Sequence, residues 1–426
     1  MILETIIIIT VIIILAYIIR HLIFTITVLY HTKKSQNSVH KDLNFTPTVT
    51  ILIPAKNEEN VIGRILQRMT ELTYPKERLQ VIVINDASSD RTGQIADFFA
   101  KRYPFIEVIH RDFKEGGKGK PSALNAGLKI AKGEIILCFD ADYYPQVNII
   151  EKLISPFSDP KVGAVQGRVV VLNEPQNIVT RLATLERVGG YCIDQRARQM
   201  LGLIPQYGGA NGGVRREILE EFGGFDETML AEDTDLTFKA YLAGYEVCYL
   251  NDAESYEEAV KSWRAYWRQR FRWILGHMQC AFRYLIPLVK SENLNLKQKV
   301  DGILLLNIYF LPIIVAVAWI LGGILVILDS THWIKTLWCF IPFSLYCCVG
   351  NFAPFFEVGA GLYCDGRSRA CWLIPLLFPA FIYNTIICTA ALFKLVIYKM
   401  LGKKHFGWNK TVHYGHGNSY ILEVET

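Results

Sequence analysis

The sequence predicts an α/β domain, built on a mainly parallel sheet, between apolar segments that cross a membrane. Two observations support this prediction. Strand-like apolar runs alternate with helix-like periodic runs between residues 49 and 157, as in sheets that are covered by helices on both faces. Long apolar runs are concentrated near the two ends of the chain, and each could cross a hydrocarbon core of about 30 Å as a helix.

Four strand–helix pairs predict the α/β domain. The strands are residues 49–54, 79–85, 106–110 and 134–139, and the helices that follow them are residues 60–73, 90–103, 121–131 and 148–157. In parallel sheets of this kind, ligands bind outside the carboxyl ends of the strands. The positions of interest are therefore residues 55–58, 85–90 and 140–142, where the chain becomes polar or acidic.

The candidate membrane spans are residues 5–30, 302–328, 336–356 and 370–393. The first is apolar apart from Arg20 and His21, and the other three contain no Asp, Glu, Lys or Arg. A buried helix of a soluble domain is the alternative, but long charge-free runs favour membrane helices. Lys33 and Lys34 follow the first span, so we expect the N-terminus outside and residues 31–300 in the cytoplasm. A cleaved signal peptide would carry its basic residues before the apolar run.

This reading divides the chain into five parts. They are an N-terminal transmembrane helix (1–30), a cytoplasmic α/β domain (31–260), interfacial helices (261–300), a C-terminal transmembrane bundle (301–400) and a tail (401–426). Three spans after a cytoplasmic domain would leave the tail outside, whereas Lys399, Lys403 and Lys404 favour a cytoplasmic tail. We therefore expect residues 370–393, which contain Pro375 and Pro379, to be re-entrant or split. The predicted location is the inner or plasma membrane, with several spans.

Composition excludes several other classes. The ten cysteines form no C-x-x-C pair, which indicates a reducing compartment and no zinc site. The net charge of +5 is small, and because basic residues flank the apolar segments we expect lipid headgroups as partners and no nucleic acid. The stretch from Gly116 to Ser122 lacks the spacing of a Walker loop, and no G-x-G-x-x-G follows the first strand. An ATPase or a nicotinamide enzyme is therefore not favoured.

Two carboxylates one residue apart, Asp140 and Asp142, end the apolar run 135–139. The glycine-rich stretch 115–121 contributes two lysines nearby. Hard oxygen ligands at a strand end, with lysines beside them, suit a divalent metal that carries a diphosphate. A solvated turn is the alternative, because a lone D-x-D is a weak motif.

Two further stretches strengthen the prediction. Residues 230–236 read LAEDTDL, and residues 267–273 read WRQRFRW. Four earlier motifs accompany them: IPAKNEE (53–59), NDASSD (85–90), KPSALN (120–125) and DAD (140–142). In their order and spacing, these six motifs resemble the membrane-embedded family 2 glycosyltransferases, which include the poly-N-acetylglucosamine, hyaluronan, chitin and cellulose synthases. The resemblance covers most of the chain and implies a GT-A domain fused to membrane helices.

The resemblance also implies a role for each matching residue. Asp86 would hold the uracil and ribose of a UDP-sugar, and Asp140 and Asp142 would bind Mg²⁺ or Mn²⁺. The residues assigned to donor binding are Ala55, Glu58, Asp86, Lys120, Asp140, Gln269, Arg272 and Lys410. Lys410 belongs to a weak W-x-K-T match, Trp408 to Thr411, which implies a cytoplasmic loop near the active site. Lys56 stands where many relatives have an aromatic residue, so a stacking contact with uracil is not expected.

Asp233 matches the general base that removes the proton of the acceptor hydroxyl. Glu232 beside it would raise its proton affinity through like-charge repulsion. The acceptor-binding assignments are Trp273, Glu232, Gly209 and Asn211. Each of these stretches also has a purely structural explanation. The acidic residues 232–235 could favour a helix N-terminus, residues 263–273 could form only an interfacial helix, and the glycines could form a turn before a helix at 215–222.

The resemblance implies an inverting glycosyltransferase that uses a UDP-sugar to extend, and to pass through the membrane, a β-linked polysaccharide. An accessory export subunit is an expected partner. The first alternative is a glycolipid synthase that transfers one sugar to a membrane lipid. A second alternative, from another class, is a transporter or receptor whose cytoplasmic domain senses a nucleotide.

Overall fold

The computed structural model describes residues 2–32, 45–327, 352–402 and 414–415. Its central feature is a mixed sheet. The strands in the described residues are β1 (Val49–Ala55), β2 (Leu79–Asp86), β3 (Ile106–Arg111), β4 (Ile135–Cys138), β5 (Tyr144–Pro145), β6 (Val162–Val171), β7 (Gly212–Arg215) and β8 (Glu246–Glu257). Their order across the sheet is β3-β2-β1-β4-β7-β6-β8-β5.

The first four strands confirm the predicted parallel sheet. β1 pairs in parallel with β2 and β4, and β2 pairs in parallel with β3. The second half of the sheet is mixed: β7 runs antiparallel to β4 and β6, whereas β6 and β8 are parallel. This curled α/β sheet is of the GT-A type.

Helices cover both faces of the sheet. The α-helices of the described residues are α1 (Ile2–Thr32), α2 (Ile62–Glu71), α3 (Thr92–Arg102), α4 (Lys120–Leu128), α5 (Ile149–Ile154), α6 (Ile178–Arg187), α7 (Arg196–Leu201), α8 (Arg216–Glu221), α9 (Glu232–Leu242), α10 (Trp263–Lys290), α11 (Leu296–Leu306), α12 (Leu311–Ile327), α13 (Ala353–Cys364) and α14 (Leu377–Met400). Because side chains alternate along a strand, Ile51 and Ile53 of β1 pack in the core with α2, α3 and α5, and Leu52 packs in the core with α4 and α8–α11. Burial on both faces explains the continuous apolar runs in the sequence.

The helical run between β6 and β7 was not predicted. A π-helical stretch, Val188–Gln195, joins α6 to α7, so the chain is helical from Ile178 to Leu201. π-Helical turns are uncommon and often lie at functional sites. This one contains Gly189 and Gly190, a pair that by propensity alone would interrupt a helix.

Two helices of the described residues are long and apolar enough to cross a membrane, namely Ile8–His31 and Ser368–Met400. The pair Leu296–Leu306 and Ile308–Ile324, bent by 42°, would form a third span if it crosses as one unit. The predicted segment 336–356 lies mostly outside the described residues. A split within residues 370–393 is not observed, because the 3₁₀ helix Ser368–Leu376 continues into α14 as one candidate span. The bend lies instead in the predicted segment 302–328.

Candidate functional site

The carboxyl ends of β1, β2 and β4 border a cavity of about 780 Å³, which residues of α9 and α10 also line. Most of the residues singled out from the sequence line it. They are Ala55, Glu58, Asp86, Lys120, Asp140, Asp142, Glu232, Asp233, Gln269, Arg272 and Trp273. The cavity therefore brings together motifs that are up to 218 residues apart in the sequence (273 minus 55).

Backbone strain is concentrated at this edge of the sheet. Asn57, Ala87 and Asn211 have φ values of 52°, 56° and 50°, the only positive φ values of non-glycine residues in the described part of the chain. Asn57 follows β1, Ala87 follows β2 and Asn211 precedes β7. Such conformations cost about 1–3 kcal/mol each and persist where the surrounding structure holds them, often at functional sites.

Asp86 is buried and held in a fixed orientation. Its Oδ1 accepts a hydrogen bond from Arg111 Nη1 at 2.7 Å, and its Oδ2 accepts one from the backbone N–H of Gly117 at 3.0 Å. Arg111 is itself fixed by donating to Glu115 O and Ser122 Oγ. The glycine-rich loop is thereby tied to the end of β2, so Asp86 is positioned before any ligand binds.

Asp140 and Asp142 lie at the end of β4, as predicted. Lys120 Nζ lies 2.6 Å from Asp140 Oδ1 and donates a hydrogen bond to Gly209 O at 3.0 Å. Burial lowers the pKa of Lys120, but the carboxylates of Asp140 and Glu232 outweigh it and raise the pKa above its ordinary value. Lys120 is therefore positively charged beside Asp140. Asp142 Oδ2 accepts a hydrogen bond from the backbone N–H of Glu258 at 3.2 Å.

The two aspartates fit a metal ion that binds together with a ligand. In residues 2–32, 45–327, 352–402 and 414–415, no group of three or more His, Cys, Asp or Glu side chains could hold a metal ion alone. Asp140 and Asp142 supply two hard oxygen ligands at the cavity wall. Mg²⁺ commonly takes one or two protein carboxylates and completes its shell with phosphate oxygens and water. The donor set thus suits a divalent cation bridged to a diphosphate.

Glu232 and Asp233 form the first turn of α9, and both line the cavity. Burial, followed by the charge of Asp233, raises the pKa of Glu232 to about 7. Burial also raises the pKa of Asp233, against the hydrogen bond that the Thr234 N–H donates to Asp233 Oδ1 at 2.6 Å. A carboxylate of raised proton affinity at a cavity wall can accept a proton from a bound hydroxyl near neutral pH.

Asp235, the third acidic residue of this turn, has a structural role. It is 1% exposed, is absent from the cavity wall, and lies 2.7 Å from Lys239 Nζ and 3.3 Å from Arg283 Nη1. Tyr284 also donates its hydroxyl to Asp235 Oδ1 at 2.5 Å. Asp235 therefore joins α9 to α10 rather than facing a ligand.

We expect Asp235→Asn to destabilise the protein and to leave its chemistry intact. The substitution removes the buried charge that pairs with Lys239 and Arg283, at a cost of about 1–3 kcal/mol. Thermal unfolding in detergent should show a lower midpoint, whereas nucleotide affinity of the folded fraction should be unchanged. Weakened nucleotide binding with an unchanged midpoint would contradict this assignment.

α10 presents Gln269, Arg272 and Trp273 to the cavity. Burial lowers the pKa of Arg272, although the carboxylates of Glu232 and Asp140 oppose the shift. Two guanidinium groups lie near the Trp273 ring, with Arg270 Cζ 4.4 Å and Arg187 Cζ 5.1 Å from its centroid. Cations over an indole face stabilise its position.

Several cavity residues were not found from the sequence. Arg187 donates from Nε and Nη2 to the Glu257 carboxylate at 2.5 and 3.0 Å, and Tyr143 donates to Glu257 Oε2 at 3.1 Å. Arg270 is in turn paired with Glu186. Two carboxylates thus fix the two arginines that flank Trp273. The one local signal in the sequence was the pair Gly189-Gly190, which lies in the π-helical stretch that follows Arg187.

Among the described residues, two of those assigned from the sequence do not line the cavity. Gly209 lies behind the acidic pair, since a Cβ added there would be 3.3 Å from Asp233 Cβ. Asn211 is fully buried and its Nδ2 donates to Arg168 O and Ala253 O, so direct acceptor contact by Asn211 stays a prediction without structural support. Lys410, with Trp408 and Thr411, lies outside the described residues.

Four residues of the tail are described, Leu401, Gly402, Tyr414 and Gly415, and the last two contact the α/β domain. The backbone N–H groups of Tyr414 and Gly415 donate to the Glu258 carboxylate at 3.1 and 3.0 Å. The Tyr414 ring also packs on Lys261 Nζ at 4.4 Å. Because Glu258 lines the cavity and its own N–H donates to Asp142, this part of the tail lies on the same side as the α/β domain. That position agrees with the predicted cytoplasmic tail.

Comparison with known proteins gives the family. Residues 47–276 match the family model described as "Glycosyltransferase like family 2". This match covers more than half of the chain and includes β1–β8 and the cavity residues Gln269, Arg272 and Trp273 of α10.

Three curated relatives and one solved structure are similar to this chain. They are a probable glycosyltransferase, YdaM, of Bacillus subtilis (38% identity over 58% of this chain and 59% of the relative), a beta-monoglucosyldiacylglycerol synthase of Trichormus variabilis (34%, over 62% and 56%), a poly-beta-1,6-N-acetyl-D-glucosamine synthase of Staphylococcus epidermidis (29%, over 58% and 59%), and the mannosyltransferase PcManGT of Pyrobaculum calidifontis in complex with GDP-Man and Mn²⁺ (20%, over 84% and 99%, TM-score 0.56). The matched regions span a little under 60% of these curated relatives. The solved structure supports the fold.

Proposed function

Because this chain belongs to the glycosyltransferase-like family 2, we propose that it transfers a sugar from a UDP-sugar to a hydroxyl group of an acceptor at the membrane. The observation that carries the proposal is the composition of one cavity. Strand-end aspartates, a lysine, a buried acidic pair and an indole all line it. The aspartates suit a metal ion, the lysine suits a diphosphate, the acidic pair can accept a proton, and the indole suits a sugar ring.

The donor is assigned to the sheet side of the cavity. Asp86, fixed by Arg111 and Gly117, can accept hydrogen bonds from a base or a ribose hydroxyl. Lys120 supplies a positive charge for the diphosphate. Arg272 offers a planar fork for phosphate oxygens. The assignment of uracil as the base rests on the family resemblance. The fold does not supply it, since the solved structure of similar fold is a complex with GDP-Man.

Asp140 and Asp142 would hold Mg²⁺ or Mn²⁺ beside the diphosphate. A divalent cation there would neutralise the charge that develops on the leaving UDP. Lys120 contacts Asp140 where the cation would bind. Its side chain would therefore move when the metal and donor bind. The buried position of Asp142 and its hydrogen bond from Glu258 would keep this ligand fixed.

Asp233 is assigned as the base. It accepts the proton of the acceptor hydroxyl while the acceptor oxygen bonds to the anomeric carbon of the sugar. The bond from that carbon to the UDP oxygen breaks with its electron pair leaving on UDP, so the configuration inverts. Glu232 shares the buried site and raises the proton affinity of the pair through like-charge repulsion.

The pH dependence of UDP release should reflect this pair. Since burial raises both pKa values, and the charge of Asp233 helps to raise that of Glu232 to about 7, the rate should rise with pH through about 7 as the pair loses its last proton. Glu232→Gln removes one charge, so the midpoint of the acid limb should fall by about one pH unit. A pH–rate profile of both proteins measures this shift, and an unchanged midpoint would refute the coupling.

Two acceptor classes remain candidates. A relative named as a poly-beta-1,6-N-acetyl-D-glucosamine synthase supports extension of a polysaccharide, which would also need export and an accessory subunit. A relative named as a beta-monoglucosyldiacylglycerol synthase supports transfer of one sugar to a lipid. Membranes that contain the protein, incubated with a panel of radiolabelled UDP-sugars, would distinguish them by product size. No labelled product from any UDP-sugar would contradict the proposed function.

Trp273→Ala should impair acceptor use far more than donor binding. Loss of the indole removes about 1–3 kcal/mol of packing against the acceptor sugar or headgroup in the transition state. We expect a fall of about 5- to 150-fold in kcat/KM for the acceptor, with the Kd of UDP changed by less than about twofold.

Trp263→Ala is the matched control for Trp273→Ala. It removes an indole from the same helix, but Trp263 is 41% exposed and lies outside the cavity lining. Steady-state kinetics with varied acceptor and calorimetric titration of UDP give the two readouts. Equal losses of acceptor use and UDP affinity in Trp273→Ala would instead assign Trp273 to the fold or to the donor site.

A further inference from the structure

Two adjacent glycines lie in the π-helical stretch Val188–Gln195, where glycine is less favourable than alanine. Gly189 has a packing reason, because a Cβ added there would lie 3.2 Å from Val358 Cγ2 of α13. Gly190 has no such reason. A Cβ added at Gly190 would meet no atom of another described element within 4 Å, and the φ of Gly190 is not in the left-handed region. Alanine would therefore fit at position 190 and should stabilise the helix.

The open space beside Gly190 is the cavity itself. Gly190 lines the cavity together with Arg187 and Tyr191 of the same helical run. Arg187 Cζ lies 5.1 Å from the centroid of the Trp273 ring, and Arg187 is three residues from Gly190, which is less than one helical turn. Close to the indole, the cavity wall at Gly190 is therefore bare peptide backbone.

Tyr191, the next residue, connects this wall to the acidic pair. Tyr191 Oη lies 3.5 Å from the position of a Cβ added at Gly208, and a Cβ added at Gly209 would lie 3.3 Å from Asp233 Cβ. Tyr191 and Asp233 both line the cavity. A molecule whose hydroxyl group reaches Asp233 therefore occupies space near Gly190.

Beyond Gly190, the same helical run leads to candidate membrane helices. Asp194 and Arg198 line the cavity further along the run, and Arg20 of α1 donates to Asp194 at 2.5 Å. Tyr309, which also lines the cavity, lies at the bend between α11 and α12. Arg198 is 1% exposed, and its Nη2 has no hydrogen-bond partner in the described part of the chain, which is costly unless a ligand or water accepts from it. The cavity thus continues past Gly190 toward the membrane helices.

The donor side of the cavity is formed by other elements. Asp86 ends β2, Lys120 begins α4 and Asp140 follows β4, whereas Gly190 lies on the helical run between β6 and β7. A side chain at position 190 would therefore take space from the acceptor rather than from the nucleotide. Water is small enough to reach Asp233 past such a side chain, but a sugar ring or a lipid headgroup is not.

We propose that Gly190 is a specificity-determining residue, whose missing side chain leaves room for the ring or headgroup next to the reacting hydroxyl of the acceptor. This inference rests on the proposed function, since it concerns the acceptor end of the same cavity, and it applies to either candidate acceptor class. The bare backbone at Gly190 and the indole of Trp273 are the two surfaces between which this part of the acceptor lies. The helix accepts a destabilising glycine at this position because the acceptor needs the space.

Graded substitutions of Gly190 test this role. Membranes that contain the full-length protein, unmutated or carrying Gly190→Ala or Gly190→Leu, are incubated with the labelled UDP-sugar that gives a product with the unmutated protein. Label in membrane products is measured against free labelled sugar, which is the product of transfer to water. We expect label in products to fall about two- to fivefold in Gly190→Ala and at least about tenfold in Gly190→Leu. Free sugar, and the Kd of UDP for the purified variants, should stay within about twofold.

Gly189→Ala is the matched control. It adds the same methyl group one residue away, but toward Val358 of α13 instead of the cavity. It should lower the midpoint of thermal unfolding by about 2–4 °C and leave the ratio of transferred to free sugar unchanged. Gly190→Ala should instead raise the midpoint by about 1–3 °C. Higher stability combined with weaker transfer is not expected of a glycine that only supports the fold.

Three results would overturn the inference: unchanged transfer in both Gly190 variants, equal losses of transfer and UDP affinity, or a lowered midpoint in Gly190→Ala. Should Gly190→Leu not fold, Gly190→Ala still decides, because its methyl group would lie in open space. If the unmutated protein releases no UDP from any UDP-sugar, the proposed function fails, and the inference with it. Normal product formation by the Gly190 variants would refute only the role of Gly190.

Discussion

Asp233→Asn is expected to reduce UDP release by at least about a hundredfold while UDP and Mn²⁺ still bind. The amide keeps the shape of the side chain and can still accept the hydrogen bond from the Thr234 N–H, but it cannot take a proton from the acceptor. If Asp233 served only to interact with the N-terminus of α9, the change would cost a few tenths of a kcal/mol. The two explanations therefore differ by about two orders of magnitude in rate.

Two neighbouring variants make the Asp233 result specific. Asp235→Asn makes the same chemical change two residues away, at a side chain that pairs with Lys239 and Arg283 outside the cavity. It should lower thermal stability without a comparable loss of rate per folded molecule. Glu232→Gln should retain more activity than Asp233→Asn. Near-normal turnover by Asp233→Asn, with loss in Glu232→Gln, would move the base to Glu232.

Asp142→Asn should remove most activity, with a loss of at least about a hundredfold that excess Mn²⁺ restores only in part. Asp142 is buried. Arg64 donates a hydrogen bond to its backbone carbonyl, and the Glu258 N–H donates one to its carboxylate. An amide oxygen in this position remains a weaker metal ligand and does not neutralise the cation. The measurement is the Mn²⁺ concentration that gives half-maximal UDP release.

Lys120→Met provides the matched comparison for the metal site. It removes the charge that lies 2.6 Å from Asp140 and leaves both aspartates in place. We expect tighter apparent Mn²⁺ binding, because one competitor for Asp140 is gone, together with weaker UDP binding. Full activity of the unmutated protein in EDTA would contradict the role given to Asp140 and Asp142.

Most of the parallel half of the fold could be predicted from the sequence. Strands buried on both faces read as continuous apolar runs, and the change from apolar to acidic residues at Asp86 and Asp140 marks their ends. The paired motifs at residues 230–236 and 267–273 gave the rest of the site through the family resemblance. Features that are encoded locally in this way can be predicted without knowledge of the tertiary contacts.

The features that were missed depend on distant contacts. The helical run through Gly189 and Gly190 is stabilised by packing against α13, where a Cβ on Gly189 would be 3.2 Å from Val358, and propensity alone predicts a break. Arg187 is fixed by Glu257, seventy residues away in sequence. The acidic turn contains three carboxylates, and only their surroundings separate Asp235 from Glu232 and Asp233. The bend at Asn307 rather than at Pro375 is likewise set by packing of α11 on α10.

The most direct test of the central claim is UDP release by the purified protein in detergent, measured with a panel of UDP-sugars, with Mn²⁺ or EDTA, for the unmutated chain and for Asp233→Asn. The proposal predicts metal-dependent release from at least one UDP-sugar and a loss of at least about a hundredfold in Asp233→Asn, with UDP affinity retained in calorimetric titration. UDP binding without release from any UDP-sugar would contradict the claim and would favour a nucleotide sensor.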